Sequence, residues 1–176
     1  MRELIARLHA EQDITTLLVT HDRQEAMTLA ERVAFLSDGR LQQYGAAPEL
    51  YERPATVAVA QFFGMTNLFP ASITSGIART ALGPLRLVNG AGNASEAVVG
   101  IRPEHIALGA GENRVIGRIT ARMYLGQQQR VTLRASVTET DLTVLAPAEL
   151  PLIVGQELIL SLPPERLHII ACGIDG

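Results

Sequence analysis

The stretch Thr16-Leu17-Leu18-Val19-Thr20-His21-Asp22 decides how the first third of this 176-residue chain is read. An unbroken aliphatic run with β-branched residues matches a strand buried on both faces, as in a parallel sheet. It ends at a polar Thr-His-Asp corner, where a helical pattern begins. In open α/β layers ligands collect at the C-terminal edge of such strands, so His21 is the candidate site residue.

The neighbours extend the pattern in both directions. Upstream, Leu4, Ile5 and Leu8 form one stripe of an amphipathic helix over residues 2–10. Downstream, Asp22 is placed to cap a helix running to Arg32, with Glu25 as partner in an approximate capping box and Ala26, Leu29 and Ala30 inward. Val33–Leu36 reads as a strand, Asp38-Gly39 as a tight turn and Arg40–Tyr44 as the returning strand. Pro48 opens a short helix through Tyr51, Pro54 forbids its continuation, and a last helix, Ala55–Phe63, stops at Gly64, which suits a left-handed C-cap.

The texture changes at Gly64-Met65-Thr66-Asn67. Short alternating runs punctuated by Gly, Pro and Asn replace the helical period, so two domains are expected, 1–63 and 64–176. Candidate strands are Leu68–Ile73, Leu85–Val88, Val98–Arg102, His105–Leu108, Val115–Tyr124, Arg130–Ala135, Leu142–Leu145, Glu157–Leu162 and Leu167–Ile170. Strands at this spacing without helices between them predict a small closed or Greek-key barrel, and the loop 90–94 is expected to be mobile. The fold class expected is α+β, mainly β: a partial α/β layer followed by a small OB-like antiparallel barrel.

Composition narrows the function classes. A formal net charge of -3 gives no basic footprint, which argues against nucleic acid as a partner. The single cysteine, Cys172, rules out a disulfide framework within the chain and is expected to be a buried free thiol in a reducing compartment. No apolar run approaches the roughly 20 residues that span a bilayer, and a cytoplasmic location is expected. The four histidines, His9, His21, His105 and His168, lack helical ligand spacing, so no metal site is expected.

Three adjacent segments carry a resemblance. Leu18-Val19-Thr20-His21-Asp22-Arg23-Gln24-Glu25-Ala26-Met27-Thr28-Leu29-Ala30-Glu31-Arg32 resembles the switch-histidine segment of ABC transporter nucleotide-binding subunits and the helix after it. Leu36-Ser37-Asp38-Gly39-Arg40-Leu41-Gln42-Gln43-Tyr44-Gly45 resembles the hairpin that follows, and Pro48-Glu49-Leu50-Tyr51-Glu52-Arg53-Pro54 resembles the next helix. Val99-Gly100-Ile101-Arg102-Pro103-Glu104-His105-Ile106 is similar to the transport-associated OB-like (TOBE) domain of the same subunits. The resemblance is to the importer type with a regulatory barrel, serving iron, polyamines, phosphonates or sugars.

By this resemblance residues 1–63 are the C-terminal remnant of the nucleotide-binding domain and 64–176 the TOBE-type regulatory barrel. His21 corresponds to the switch histidine, which contacts the γ-phosphate of ATP between two subunits and helps to set the attacking water. ATP and Mg²⁺ are the cofactors of the intact family. Its partners are a second subunit and the transmembrane permease subunits, at the inner face of the cytoplasmic membrane.

The departure from the family is large. The sequence holds no G-x-x-x-x-G-K-[ST] phosphate loop, no aliphatic strand ending in Asp-Glu for Mg²⁺, no signature segment and no glutamine loop. Residues 2–9 resemble the helix after the family's last catalytic loop, so the chain is expected to be a C-terminal piece whose catalytic half lies on other sequence. Alone it is expected to bind no cofactor and to hydrolyse no ATP, which leaves His21 inactive. Residues 1–63 are expected to pair with a second copy or an ATPase half, or else to be poorly ordered.

The remaining candidates have plain structural readings. Arg102 and Glu104 are expected to pair at the barrel surface, Met27, Met65 and Met123 to fill core, and Tyr124-Leu125-Gly126 to form a hairpin tip. The main functional expectation is a regulatory part that braces subunit dimers and senses a solute or regulator. A stand-alone module binding a small anion, and an inert remnant whose barrel still folds, are the alternatives.

Overall fold

In the computed structural model, which describes residues 15–88 and 92–171, the first hairpin forms as its turn residues dictate. Asp38 and Gly39 take φ of 52° and 72°, the mirror-turn geometry that matches strand twist, and join β1 (Val33–Ser37) to β2 (Arg40–Gly45). Helices follow at Ala47–Glu52, with Pro48 in its first turn, and Val57–Phe62, capped by the Thr56 hydroxyl. Leu50, Val59 and Phe63 form a small core with Phe35 and Phe62 against it, the Phe35 and Phe62 rings 4.9 Å apart. Gln43 ties the hairpin down, donating to Arg53 O at 3.0 Å and accepting from Ala55 N–H at 2.8 Å.

The buried strand expected at Thr16–Thr20 is not there. The run is irregular, and Leu17 and Val19 are 90% and 89% exposed. Such a strand needs ladder partners and a covering layer on each face. Among the described residues before Gly64 the ladder is β1 with β2 alone, so the apolar run finds neither. The helix after it spans Arg23–Leu29, shorter than expected, and the helix expected over 2–10 lies outside the described residues.

The chain divides between Phe63 and Gly64, whose φ is +86°. The second unit is two five-stranded antiparallel sheets curled over one aliphatic core, an OB-like arrangement. Its strands are β3 (Asn67–Thr74), β4 (Ile77–Thr80), β5 (Gly83–Arg86), β6 (Ala94–Ile101), β7 (Ala107–Leu108), β8 (Arg114–Tyr124), β9 (Gln128–Ala135), β10 (Asp141–Pro147), β11 (Glu157–Ser161) and β12 (His168–Ala171). Their orders are β12-β6-β3-β4-β5 and β10-β9-β8-β11-β7. Strict alternation on β3, β9 and β10 sends every second side chain inward.

The two sheets repeat one plan. Reading the second order backwards, β7-β11-β8-β9-β10 matches β12-β6-β3-β4-β5 position by position. The registers agree. Phe69 opposes Val99 as Val115 opposes Leu160, Ser72 opposes Arg79 as Arg118 opposes Arg134, and Ala78 opposes Leu85 as Leu133 opposes Leu142. Each half ends in a 3-10 turn opened by proline, Pro103–His105 or Pro164–Arg166, and a short strand that crosses over. β7 pairs with β11 and β12 with β6, so the halves exchange their last strands.

The duplication also governs packing. Gly100 lies where an added Cβ would run into Met65 Sδ and Leu68 Cδ2; at the matching place Gly111 gives way to Ser161. One half takes large against none and the other none against small, which fills both sites without overpacking.

Several strand limits differ from expectation. β6 begins at Ala94 rather than Val98, and β4, four residues within the six that separate Ser75-Gly76 from Gly83-Pro84, was not expected because its flanks read as turn. Residues 103–105 form a turn where a strand was expected from His105, because proline removes a ladder donor and presets the turn. Met65 is fully buried and Met27 packs on the first core, whereas Met123 is 56% exposed and fills none.

Candidate functional site

The corner at His21 forms without its strand. Asp22 accepts from Gln24 N–H at 2.7 Å and from Glu25 N–H at 3.4 Å, and so caps the helix. Glu25 does not reach back to Asp22 as a capping box would. It accepts from the Thr20 hydroxyl at 2.6 Å, and that hydroxyl accepts from Asp22 N–H at 3.0 Å. This local network presents His21 exposed at the bend, its ring making no hydrogen bond among the described residues. An imidazole so placed can meet a phosphate oxygen supplied from outside.

The sequence carries no G-x-x-x-x-G-K-[ST] phosphate loop beside this histidine. All 15 basic residues are arginine, so no lysine could reach β- and γ-phosphates, and no group of three acidic, histidine or cysteine side chains among the described residues is arranged to hold a cation. The residues present do not fit the nucleotide, and no catalytic step follows from them.

In the second unit two asparagines stand where strands cross over. Asn67, 3% exposed, donates to Ile101 O at 3.2 Å and Thr143 O at 2.8 Å, and accepts from Thr143 N–H at 2.7 Å. Asn113 does the same in the other half, donating to Leu162 O and Arg86 O at 2.9 Å each and accepting from Arg86 N–H at 2.7 Å. Ile101 and Leu162 occupy matching positions, as do Thr143 and Arg86. Each asparagine therefore clips its half's crossover turn to the edge strand of the opposite sheet. These two were missed in the sequence; the signal was the paired spelling Ile101-Arg102-Pro103-Glu104-His105-Ile106 and Leu162-Pro163-Pro164-Glu165-Arg166-Leu167.

Arg102 is not at the surface as expected but 1% exposed, while Glu104 is exposed. β6 is buried on both faces from Ala97, and the proline turn folds its end inward. His105 is half-buried, with Nδ1 buried and without a hydrogen-bond partner among the described residues. Burial pushes its pKa below the usual imidazole value; Arg166, its counterpart in the other turn, and Arg102 act the same way, and Glu104 opposes them. The expected hairpin tip is present, with Leu125 N–H bonded to Gln128 O and Gly126 at φ +93°. Cys172 lies outside the described residues, as do 90 and 91 of the expected mobile loop.

On the outer face of the second sheet a charged row crosses four strands: Glu157, Arg118, Arg134 and Asp141. Arg118 meets Glu157 at 3.2 Å and Arg134 meets Asp141 at 3.0 Å. The hydrogen bond from Arg134 holds the Asp141 carboxyl below its usual value and raises the guanidinium in turn. Two open hollows flank the sheets, one of about 360 Å³ over Ser72 and one of about 550 Å³ beside Arg114 and Ser136.

Comparison with known proteins gives a TOBE domain over residues 99–170. The sn-glycerol-3-phosphate import ATP-binding protein UgpC of Ruegeria sp. is 35% identical over 175 residues, covering 96% of this chain and 48% of that protein. The Fe(3+) ions import ATP-binding protein FbpC of Escherichia coli is 34% identical over 174 residues, covering 97% of this chain and 49% of that protein. This chain thus spans about half the length of the curated relatives it matches. Among solved structures, the cytoplasmic molybdate-binding protein ModG is similar at a TM-score of 0.49 and 14% identity, over 60% of this chain and 96% of that one.

Proposed function

Since the chain belongs with the C-terminal parts of ABC importer ATP-binding subunits, TOBE domain included, we propose that it serves as the regulatory half of such a subunit. In this reading residues 1–63 complete a nucleotide-binding domain whose phosphate loop and magnesium carboxylates lie on other sequence. The barrel of residues 64–176 braces two subunits against each other and senses solute or regulator. The assembly sits at the inner face of the cytoplasmic membrane, on permease subunits; no helix among the described residues is long and apolar enough to cross a membrane.

The observation that carries this reading is the match to importer ATPase subunits over 96% of the chain, across both units. The exposed Leu17–Val19 run supports it, since a nucleotide-binding domain would supply strands on either side and bury those side chains. His21 then stands at the end of a central strand, where it can contact the γ-phosphate and orient water. Residues matching this chain in a full-length relative such as FbpC can be replaced by the chain itself. The chimera is expected to hydrolyse ATP, and His21→Ala within it to lower kcat by about 100-fold, in the range for loss of one acid-base or electrostatic group. The unfused chain is expected to show no turnover. A folded chimera without ATPase activity, or turnover by the chain alone, would overturn the reading.

A further inference from the structure

The two halves of the barrel are not equal in charge, and the difference exposes a site. In the second half the outer row runs Glu157, Arg118, Arg134, Asp141, and each arginine has a carboxylate beside it. Matching positions in the first half read Glu96, Ser72, Arg79, Pro84. Serine stands where the sister half has an arginine, so Glu96 lacks its cation. Proline stands where it has aspartate, so Arg79 lacks its anion. Neither Arg79 nor Glu96 makes an ion pair among the described residues.

The shortened side chain leaves space. The hollow of about 360 Å³ lies over Ser72 and is bounded by Arg79, Ser95 and Glu96, with Pro70 and two alanines as its apolar floor. A register break adds a polar group. Ala71 opposes Ala97 but Ile73 opposes Ala94, so Ser95 and Glu96 together face Ser72, and the bulge turns both toward the hollow. No register break is present between β8 and β11 at the matching place.

We infer that the hollow over Ser72 binds a small zwitterion of the amino-acid class, its carboxylate against Arg79 and its ammonium against Glu96, with the Ser72 and Ser95 hydroxyls between. Charge selects a zwitterion over a single ion. Arg79 and Glu96 both line the hollow, on strands with one strand between them. An anion held at Arg79 faces the like charge of Glu96, and a cation held at Glu96 faces that of Arg79, whereas a molecule with an ammonium at one end and a carboxylate at the other matches both. The ligand replaces the guanidinium and the carboxylate that the sister half builds in. This inference rests on the barrel's own geometry and does not depend on the transport reading.

Titration of the ¹⁵N-labelled full chain with glycine, followed by amide chemical shifts, tests it. Saturable shifts are expected at residues 71–73, 78–80 and 95–97, with acetate and methylammonium each at least about tenfold weaker, a difference of about 1.4 kcal/mol. Arg79→Gln and Glu96→Gln should each raise the half-saturating concentration by about fivefold or more. Ser72→Arg should abolish the shifts while the thermal melt stays unchanged, because it restores the sister half's row and fills the hollow. Absence of saturable shifts with glycine overturns the inference. So does acetate binding as well as glycine in a way that Glu96→Gln leaves untouched, which would make the hollow a plain anion site.

Discussion

At His105 the fold alters the chemistry of a side chain that titrates near neutral pH. Its imidazole is pushed toward the neutral form by burial first, then by Arg166 and Arg102. Folded, it therefore binds a proton less readily than in the unfolded chain, whose value is near 6.5. Stability from this group is present above that value and is lost as pH falls below it and on through the folded pKa, because the unfolded state then takes up more protons. Thermal melts from pH 7.5 down to 5.5 should show a falling midpoint, and His105→Gln should flatten the fall. A slope unchanged by the substitution would assign the acid sensitivity elsewhere.

At the scale of elements, strand exchange makes each crossover turn depend on the other half. β7 and β12 are short and gain their ladders from the opposite sheet. The asparagine clips then decide whether the turns stay docked. Asn67 is almost wholly buried, so Asn67→Ala leaves the Ile101 carbonyl and both Thr143 backbone groups short of a partner, at a cost of about 2–4 kcal/mol. Asn113 is half-buried and water can replace part of its network, so Asn113→Ala should cost only about 1–2 kcal/mol, including the strain of alanine at φ +50°. Urea unfolding of the two variants measures the difference. Equal costs would show that the two halves are clipped alike despite their unequal burial.

For the molecule as a whole, the telling feature is an apolar segment without a layer to enter. Leu17 and Val19 contribute nothing to packing in this chain, and their exposure invites association. Leu17→Ser with Val19→Ser should leave the melting midpoint unchanged, within the roughly 0.5 kcal/mol typical of surface substitutions. The same pair should lower self-association in sedimentation experiments and weaken the ATPase activity of the chimera. Loss of stability in the chain alone would mean that the run is packed after all.

The hairpin at Asp38-Gly39, the helices around Pro48 and Pro54, the left-handed Gly64 and the change from helical to alternating texture beyond it are all legible in the residues. These depend on contacts a few residues apart, on fixed proline φ and on glycine's freedom at positive φ. That Thr16–Thr20 is no strand here, that Arg102 is interior, that His105 lies in a turn and that the barrel is one plan built twice follow from long-range pairing and packing. A strand exists through its ladder partners, and burial depends on what covers a residue. Neither is local, so the same aliphatic run that is a central strand in one setting is exposed coil in another.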